Sequence, residues 1–151
     1  HLLWLVGYMA QIFPYTRGYD KRFAANPDAF ALAQSIASEM VVRFPHHPGA
    51  LHYNIHFFDM PRTKDMPSFA VQSLGRSVAS SVPHARHMPS HIFLRKGDWK
   101  QCAIANVRAT SQMDRVLEYF HLPATAQDSH NVEFLQYARL MSGRHSEARN
   151  L

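Results

Sequence analysis

Cysteine is almost absent from this sequence, and long hydrophobic runs are absent altogether. Cys102 is the single cysteine in 151 residues, so no intrachain disulfide and no zinc-type C-x-x-C pair can form. No apolar stretch approaches the roughly 20 residues that a membrane-spanning helix needs. The sequence therefore predicts a protein without a membrane span, and its cysteine content leaves the cellular compartment undetermined.

Concentrated positive charge and the common catalytic motifs are also missing. Sixteen lysines and arginines exceed eleven aspartates and glutamates, but they are scattered along the chain. Without a dense basic cluster, nucleic acid is not predicted as a partner. The sequence contains no G-x-S-x-G, P-loop, Gly-rich dinucleotide fingerprint or H-E-x-x-H. The usual signatures of serine hydrolases, nucleotide-binding folds and zinc proteases are therefore absent.

Histidine, in contrast, is abundant and arranged in a repeat. Seven of the eleven histidines fall between residues 46 and 91. The stretches HPGALHYNIHFFDMP and PHARHMPSHIF match at a spacing of 35 residues. The matching pairs are Pro48 and Pro83, Ala50 and Ala85, His52 and His87, and His56 and His91. A period near 34 residues is typical of helix-turn-helix units that stack into a solenoid, which predicts an all-α fold.

Proline, glycine and apolar spacing predict the helix boundaries. Asn26-Pro27 has the form of an N-cap followed by proline at the first helical position, and Pro48 and Pro83 restart helices after breaks. Pro14 and Gly18 lie in an irregular connection over residues 13–26. The predicted helices span residues 2–12, 27–43, 48–59, 68–80 and 100–119, with a further unit opening at residue 83.

The stretch RKGDWKQCAIANVRAT resembles the second half of a tetratricopeptide repeat. There a turn glycine is followed by an aromatic residue and then by two small residues seven apart. These positions are Gly97, Trp99, Cys102 and Ala109, and Gly143 and Ala148 repeat the layout 46 residues later. HPGALHYNIHFFDMP together with PHARHMPSHIFLRKGDW resembles, over residues 40 to 148, a bacterial-type group of tetratricopeptide proteins with two histidine-rich helices. The resemblance implies an α-solenoid of helical hairpins and no established activity.

The repeat pattern divides the chain into units. We expect one solenoid over residues 1–151, with approximate units 1–45, 46–81, 82–122 and 123–151. The chain opens HLLWLVGYMA and closes inside its last unit without a capping helix. Because terminal repeats normally carry caps, we expect a fragment of a longer repeat array.

The histidine spacing predicts a metal site. His52 and His56 lie four apart on one helix, so both imidazoles share a face and can chelate one ion. Equivalent positions in stacked repeats lie side by side on the concave surface, where several imidazoles would converge. Imidazole is a common ligand for zinc and copper. The predicted ligands are His52, His56, His84, His87 and His91.

Other residues are candidates for the same face. Asp59 is predicted to be either a carboxylate ligand or an acceptor that orients an imidazole. The 46-residue spacing adds His130 and Glu133, and the thioethers of Met60 and Met88 would suit copper(I).

Pro89 complicates the second histidine pair. It lies between His87 and His91, so a helix either starts or kinks there. The one-face argument then fails for this pair, and His91 is favoured over His87 as a ligand.

Three functions are compatible with these patterns. The first is a tetratricopeptide-type binding module whose concave face binds copper or zinc. The second is a metal-free interaction scaffold or filament-forming repeat protein, with a protein or peptide in the groove or self-association through the repeat ends. The third is a copper- or zinc-dependent enzyme that uses Asp59 or Glu133 as acid or base.

Overall fold

The computed structural model describes residues 27–151, and this part of the chain is helical without any strand. The predicted helix over residues 2–12 and the connection over 13–26 lie outside the described residues. No helix within 27–151 has both the length and the apolar character needed to cross a membrane. The helices are α1 Pro27–Arg43, α2 Pro48–Phe58, α3 Ser68–Ser73, a π-helix Leu74–Val78, α4 Pro83–His87, α5 Pro89–Lys96, α6 Trp99–Tyr119, a 3-10 turn Ala124–Ala126, α7 Ser129–Met141 and α8 His145–Arg149.

Prolines begin four of these helices, because the first helical position needs no N–H donor. The boundaries predicted for α1, α2 and α6 are confirmed to within one residue. The N-cap of α2 is His47, whose Nδ1 accepts a hydrogen bond from the Ala50 amide at 3.2 Å. The single α-helix predicted over residues 68–80 is wrong, since the chain changes from α-helix to π-helix at Leu74.

Two helical hairpins turn at glycine residues. Gly97 ends α5 with φ 71° and Gly143 follows α7 with φ 74°, a left-handed conformation that glycine adopts without steric cost. Asp98 then caps α6 by accepting a hydrogen bond from the Gln101 amide at 3.0 Å. Helix α5 packs on α6, and α7 packs on both α6 and α8.

The hydrophobic core has two main parts. The larger part lies between α2, α3, the π-helix, α4 and α5, and it includes Leu51, Ile55, Leu74, Met88 and Ile92, each at most 1% exposed. A smaller part between α6 and α7 contains the buried Cys102. Met88 therefore packs in the core with aliphatic neighbours, and the suitability of its thioether for copper(I) stays a prediction.

Gly75 allows the π-helix to approach α4 closely. A Cβ at residue 75 would lie 2.7 Å from the Ala85 carbonyl oxygen and 2.9 Å from the Arg86 Cα. Both contacts are with backbone, so α4 would have to move. The Ala85 carbonyl is also the group to which Pro89, lacking an N–H, cannot donate a helical hydrogen bond.

Gly75→Ala is therefore expected to destabilise the protein. Glycine to alanine inside a helix normally stabilises by about 0.5–1 kcal/mol, whereas overpacking against backbone here should cost about 1–3 kcal/mol. Urea unfolding measures the difference, with Ser77→Ala on the same π-helix as a matched control expected within about 0.5 kcal/mol. A Gly75→Ala protein more stable than wild type would contradict the close approach.

Candidate metal centre

Four helices bring six histidine rings together in two groups of three. The first triad is His52, His56 and His84, from α2 and α4, and the second triad is His87, His91 and His130, from α4, α5 and α7. Within each triad, one ring nitrogen from every histidine lies within 4.8 Å of the others. Both triads meet the spacing requirement for a metal ion.

The first triad centres on His52. Its Nε2 lies 3.0 Å from Nε2 of His84 and 3.2 Å from Nε2 of His56. A neutral ring nitrogen carries either a proton or a lone pair. His52 Nε2 therefore cannot donate to one neighbour and accept from the other, whereas one cation can be bound by all three lone pairs at once.

In the second triad, the Nε2 atoms of His87 and His91 lie 3.0 Å apart. The His130 ring centroid is 4.7 Å from that of His87 and 5.8 Å from that of His91. Phe134 packs against all three rings at centroid distances of 4.7–5.0 Å. This phenyl ring forms an apolar wall beside the second triad.

A buried asparagine fixes the orientation of His87. Nδ1 of His87 lies 2.7 Å from Oδ1 of Asn106, and Nδ2 of Asn106 donates to the Cys102 carbonyl at 2.8 Å. That second bond sets the amide orientation, so Oδ1 must face the imidazole. Because Oδ1 can only accept, His87 Nδ1 carries the proton and its Nε2 carries the lone pair.

A carboxylate fixes the orientation of His91. Nδ1 of His91 donates to Oδ2 of Asp59 at 3.1 Å, and Nε of Arg95 donates to Oδ1 at 2.8 Å. Burial alone would raise the pKa of Asp59, but the hydrogen bonds from His91 and Arg95 and the positive charge of Arg95 lower it overall. Ionised Asp59 can only accept a hydrogen bond, so in the neutral form of His91 the proton lies on Nδ1 and the lone pair on Nε2.

The nitrogen separations match those of ligands that share an ion. Metal–nitrogen bonds of about 2.0–2.1 Å separate two ligand atoms by about 2.9 Å at right angles and about 3.3 Å at tetrahedral angles. The three Nε2 pairs measured here lie 3.0–3.2 Å apart. When His87 and His91 are both neutral, the orienting acceptors leave two lone pairs facing each other, and a cation between them would relieve their repulsion.

Burial keeps most of these imidazoles neutral. Burial, followed by the neighbouring histidines, lowers the pKa of His56 to about 3, of His87 to about 3 and of His52 to about 4. Burial is also the largest cause that lowers the pKa of His84. At neutral pH these side chains therefore do not need to lose a proton before they can bind a metal.

The structure brings together the five histidines predicted as ligands, and His130 joins them. A helix starts at Pro89, one of the two predicted outcomes, but the expectation that the one-face argument then fails for His87 and His91 is wrong, because their Nε2 atoms lie 3.0 Å apart. Met88, between the two helices, keeps helical dihedrals (φ −49°, ψ −41°), so Pro89 interrupts the hydrogen bonding but not the helical path. The preference for His91 over His87 has no basis in this geometry, because both rings are oriented by acceptors.

Some predicted residues lie elsewhere, and others were missed. Within residues 27–151, Glu133 is exposed and belongs to neither triad. Asp59 takes the second of its two predicted roles, as the acceptor for an imidazole. The sequence argument missed Asn106, although it lies on the same helical face as Cys102 and Ala109. A polar side chain on a buried face requires a partner, and that signal was available.

Comparison with known proteins gives no match: no protein-family profile, no curated protein and no solved structure is similar to this chain. The tetratricopeptide resemblance is therefore still a prediction.

Proposed function

We propose that this protein is a tetratricopeptide-type helical module whose histidine-rich face binds a transition metal, copper or zinc. The observation that carries the proposal is the facing pair of His87 and His91. Both Nδ1 atoms are committed to acceptors, and both Nε2 atoms meet at 3.0 Å. Orientation of an imidazole by a second hydrogen bond is the usual arrangement around histidine-bound metals.

The helical hairpins support the repeat part of the proposal. Gly97 and Gly143 have nearly the same left-handed φ, 71° and 74°. The small residues five positions later, Cys102 and Ala148, are 0% and 2% exposed. Corresponding turns and buried positions at a spacing of 46 residues are what two related units would give. In a solenoid of such units, the histidines would lie on the concave face.

A metal-dependent enzyme is supported less well than a binding module. Asp59 accepts hydrogen bonds from His91 and Arg95, and its lowered pKa disfavours the protonated form that a general acid needs. Glu133 is exposed and lies outside both triads. Neither residue predicted as acid or base is therefore arranged for that role.

An interaction surface is compatible with metal binding. Tyr119 and Phe120, at the end of α6, stack edge to face and are 77% and 62% exposed. Exposed aromatic side chains are common where proteins bind one another. A protein or peptide partner in the groove, or self-association through the repeat ends, stays a prediction of the sequence.

Zinc titration of protein prepared without a histidine tag tests the proposal. Isothermal titration calorimetry on wild type should give stoichiometric binding, and His52→Ala should weaken or remove it while helical circular dichroism is unchanged. His46→Ala, an exposed histidine outside both triads, is the matched control and should bind like wild type. Equal zinc binding by the two variants would contradict the proposed site.

Asp59→Asn tests the orienting role of this carboxylate. The amide has one acceptor oxygen instead of two, so His91 and Arg95 can no longer donate to separate oxygens as they do with the carboxylate. Loss of such an orienting partner typically weakens metal affinity by about 10–100-fold. Asp65→Asn is the control, because Asp65 is an exposed aspartate that pairs with Lys96. Unchanged zinc affinity in Asp59→Asn would show that Asp59 does not orient a ligand.

A further inference from the structure

The two triads touch each other. The rings of His56 and His91 have centroids 5.4 Å apart, and those of His84 and His87 stack at 5.8 Å. Imidazoles of one triad thus contact imidazoles of the other directly. Ions held by the two triads would be close neighbours.

Each triad supplies three nitrogen ligands. Zinc and similar ions take four or more ligands, and a site with three protein ligands keeps a position open for a water or an added ligand. Within residues 27–151, neither triad contains a carboxylate or thiolate that would fill this position. Two adjacent ions would therefore each offer an open position.

Charge favours an anion at those positions. Neutral imidazoles do not compensate two divalent ions, which repel each other strongly in a partly buried site. Asp59 is hydrogen-bonded to His91 of the second triad, and the charge of Asp59 is already paired with Arg95 at 2.8 Å. An anion between the ions would bind both and reduce their repulsion. Because the phenyl ring of Phe134 packs beside the second triad, it favours a small anion.

We propose that the two histidine triads hold two metal ions as one binuclear centre, and that a small anion such as hydroxide or azide bridges them. This rests on the proposed metal-binding function and adds three properties to it: a stoichiometry of two, magnetic coupling between the ions and a ligand class.

Copper(II) and azide are the probes, used with tag-free, metal-free protein. Wild type should bind two copper ions per chain. His84→Ala and His130→Ala each remove one ligand from one triad, so each variant should bind one copper ion. With azide present, the two-copper protein should show little of the copper(II) electron paramagnetic resonance signal expected for two isolated ions, because the bridged spins couple. The one-copper variants should keep their full signal, and His145→Ala, outside both triads, should behave like wild type.

The outcomes separate this inference from the function on which it rests. If wild type binds no copper and no zinc, both proposals fail. If wild type binds one copper, and either single variant abolishes that binding, the metal site stands and the binuclear centre is overturned in favour of one shared ion. If two coppers bind but give the signal of two isolated ions with and without azide, the triads are independent sites and the bridge is overturned. Circular dichroism confirms in every case that the variant is folded.

Discussion

His87→Ala is expected to lower the free energy of unfolding of the metal-free protein by about 2–4 kcal/mol, because it leaves a cavity and an unpaired acceptor. His87 is fully buried, and its Nδ1 donates to Asn106 Oδ1 at 2.7 Å. Urea unfolding in the presence of a chelator measures the loss. His46→Ala, at an exposed turn position, is the control and should change stability by no more than about 0.5 kcal/mol.

A double-mutant cycle separates the hydrogen bond from the lost packing. Combining His87→Ala with Asn106→Ala should cost less than the two single changes together, with a coupling energy in the range of about 0.5–3 kcal/mol. If the double variant loses as much free energy of unfolding as the two single variants added together, this bond does not orient His87. The tautomer argument for the second triad would then lose its main support.

Acid is expected to destabilise the metal-free protein steeply. The folded pKa values of His52, His56 and His87, about 4, 3 and 3, lie below the ordinary value of 6.5. Between these values the unfolded chain binds more protons, so stability rises with pH and is lost as pH falls below about 6.5. For buried His87 alone the slope approaches about 1.4 kcal/mol per pH unit.

Urea midpoints measured from pH 7.5 to pH 4.5 test this expectation. His56→Gln should flatten the profile, because one proton-binding difference between the folded and unfolded chain is removed, whereas His46→Gln should leave it unchanged. His84 faces the same cluster, and burial lowers its pKa in the same direction. A midpoint that does not change between pH 7 and pH 5 would contradict the burial of neutral imidazoles.

Much of this site could be predicted from spacing alone. His52 and His56 share a helical face because they are four residues apart, and the 35-residue repeat brought the second pair to the same region. The 46-residue spacing added His130. Proline and glycine positions gave the starts of α1 and α2 and the turn at Gly97, since these residues restrict or free the backbone wherever they occur.

Other features depend on tertiary contacts that spacing does not encode. A helix start at Pro89 was expected to break the face shared by His87 and His91, but the residue before this proline, Met88, keeps helical dihedrals. The π-helix at Leu74 coincides with the close approach of Gly75 to α4, which no local pattern revealed. Asn106 lies on α6, 19 residues after His87, and the tertiary fold brings the two side chains into contact.

Metal analysis of the tag-free protein is the most direct test of the central claim. The protein is incubated with excess copper or zinc, desalted and measured by mass spectrometry, beside a variant that combines His52→Ala with His91→Ala. The proposed site predicts at least one retained equivalent in wild type and none in the variant, with helical circular dichroism preserved in both. No retained metal in wild type, or equal retention in the variant, would contradict a metal site at the six histidines.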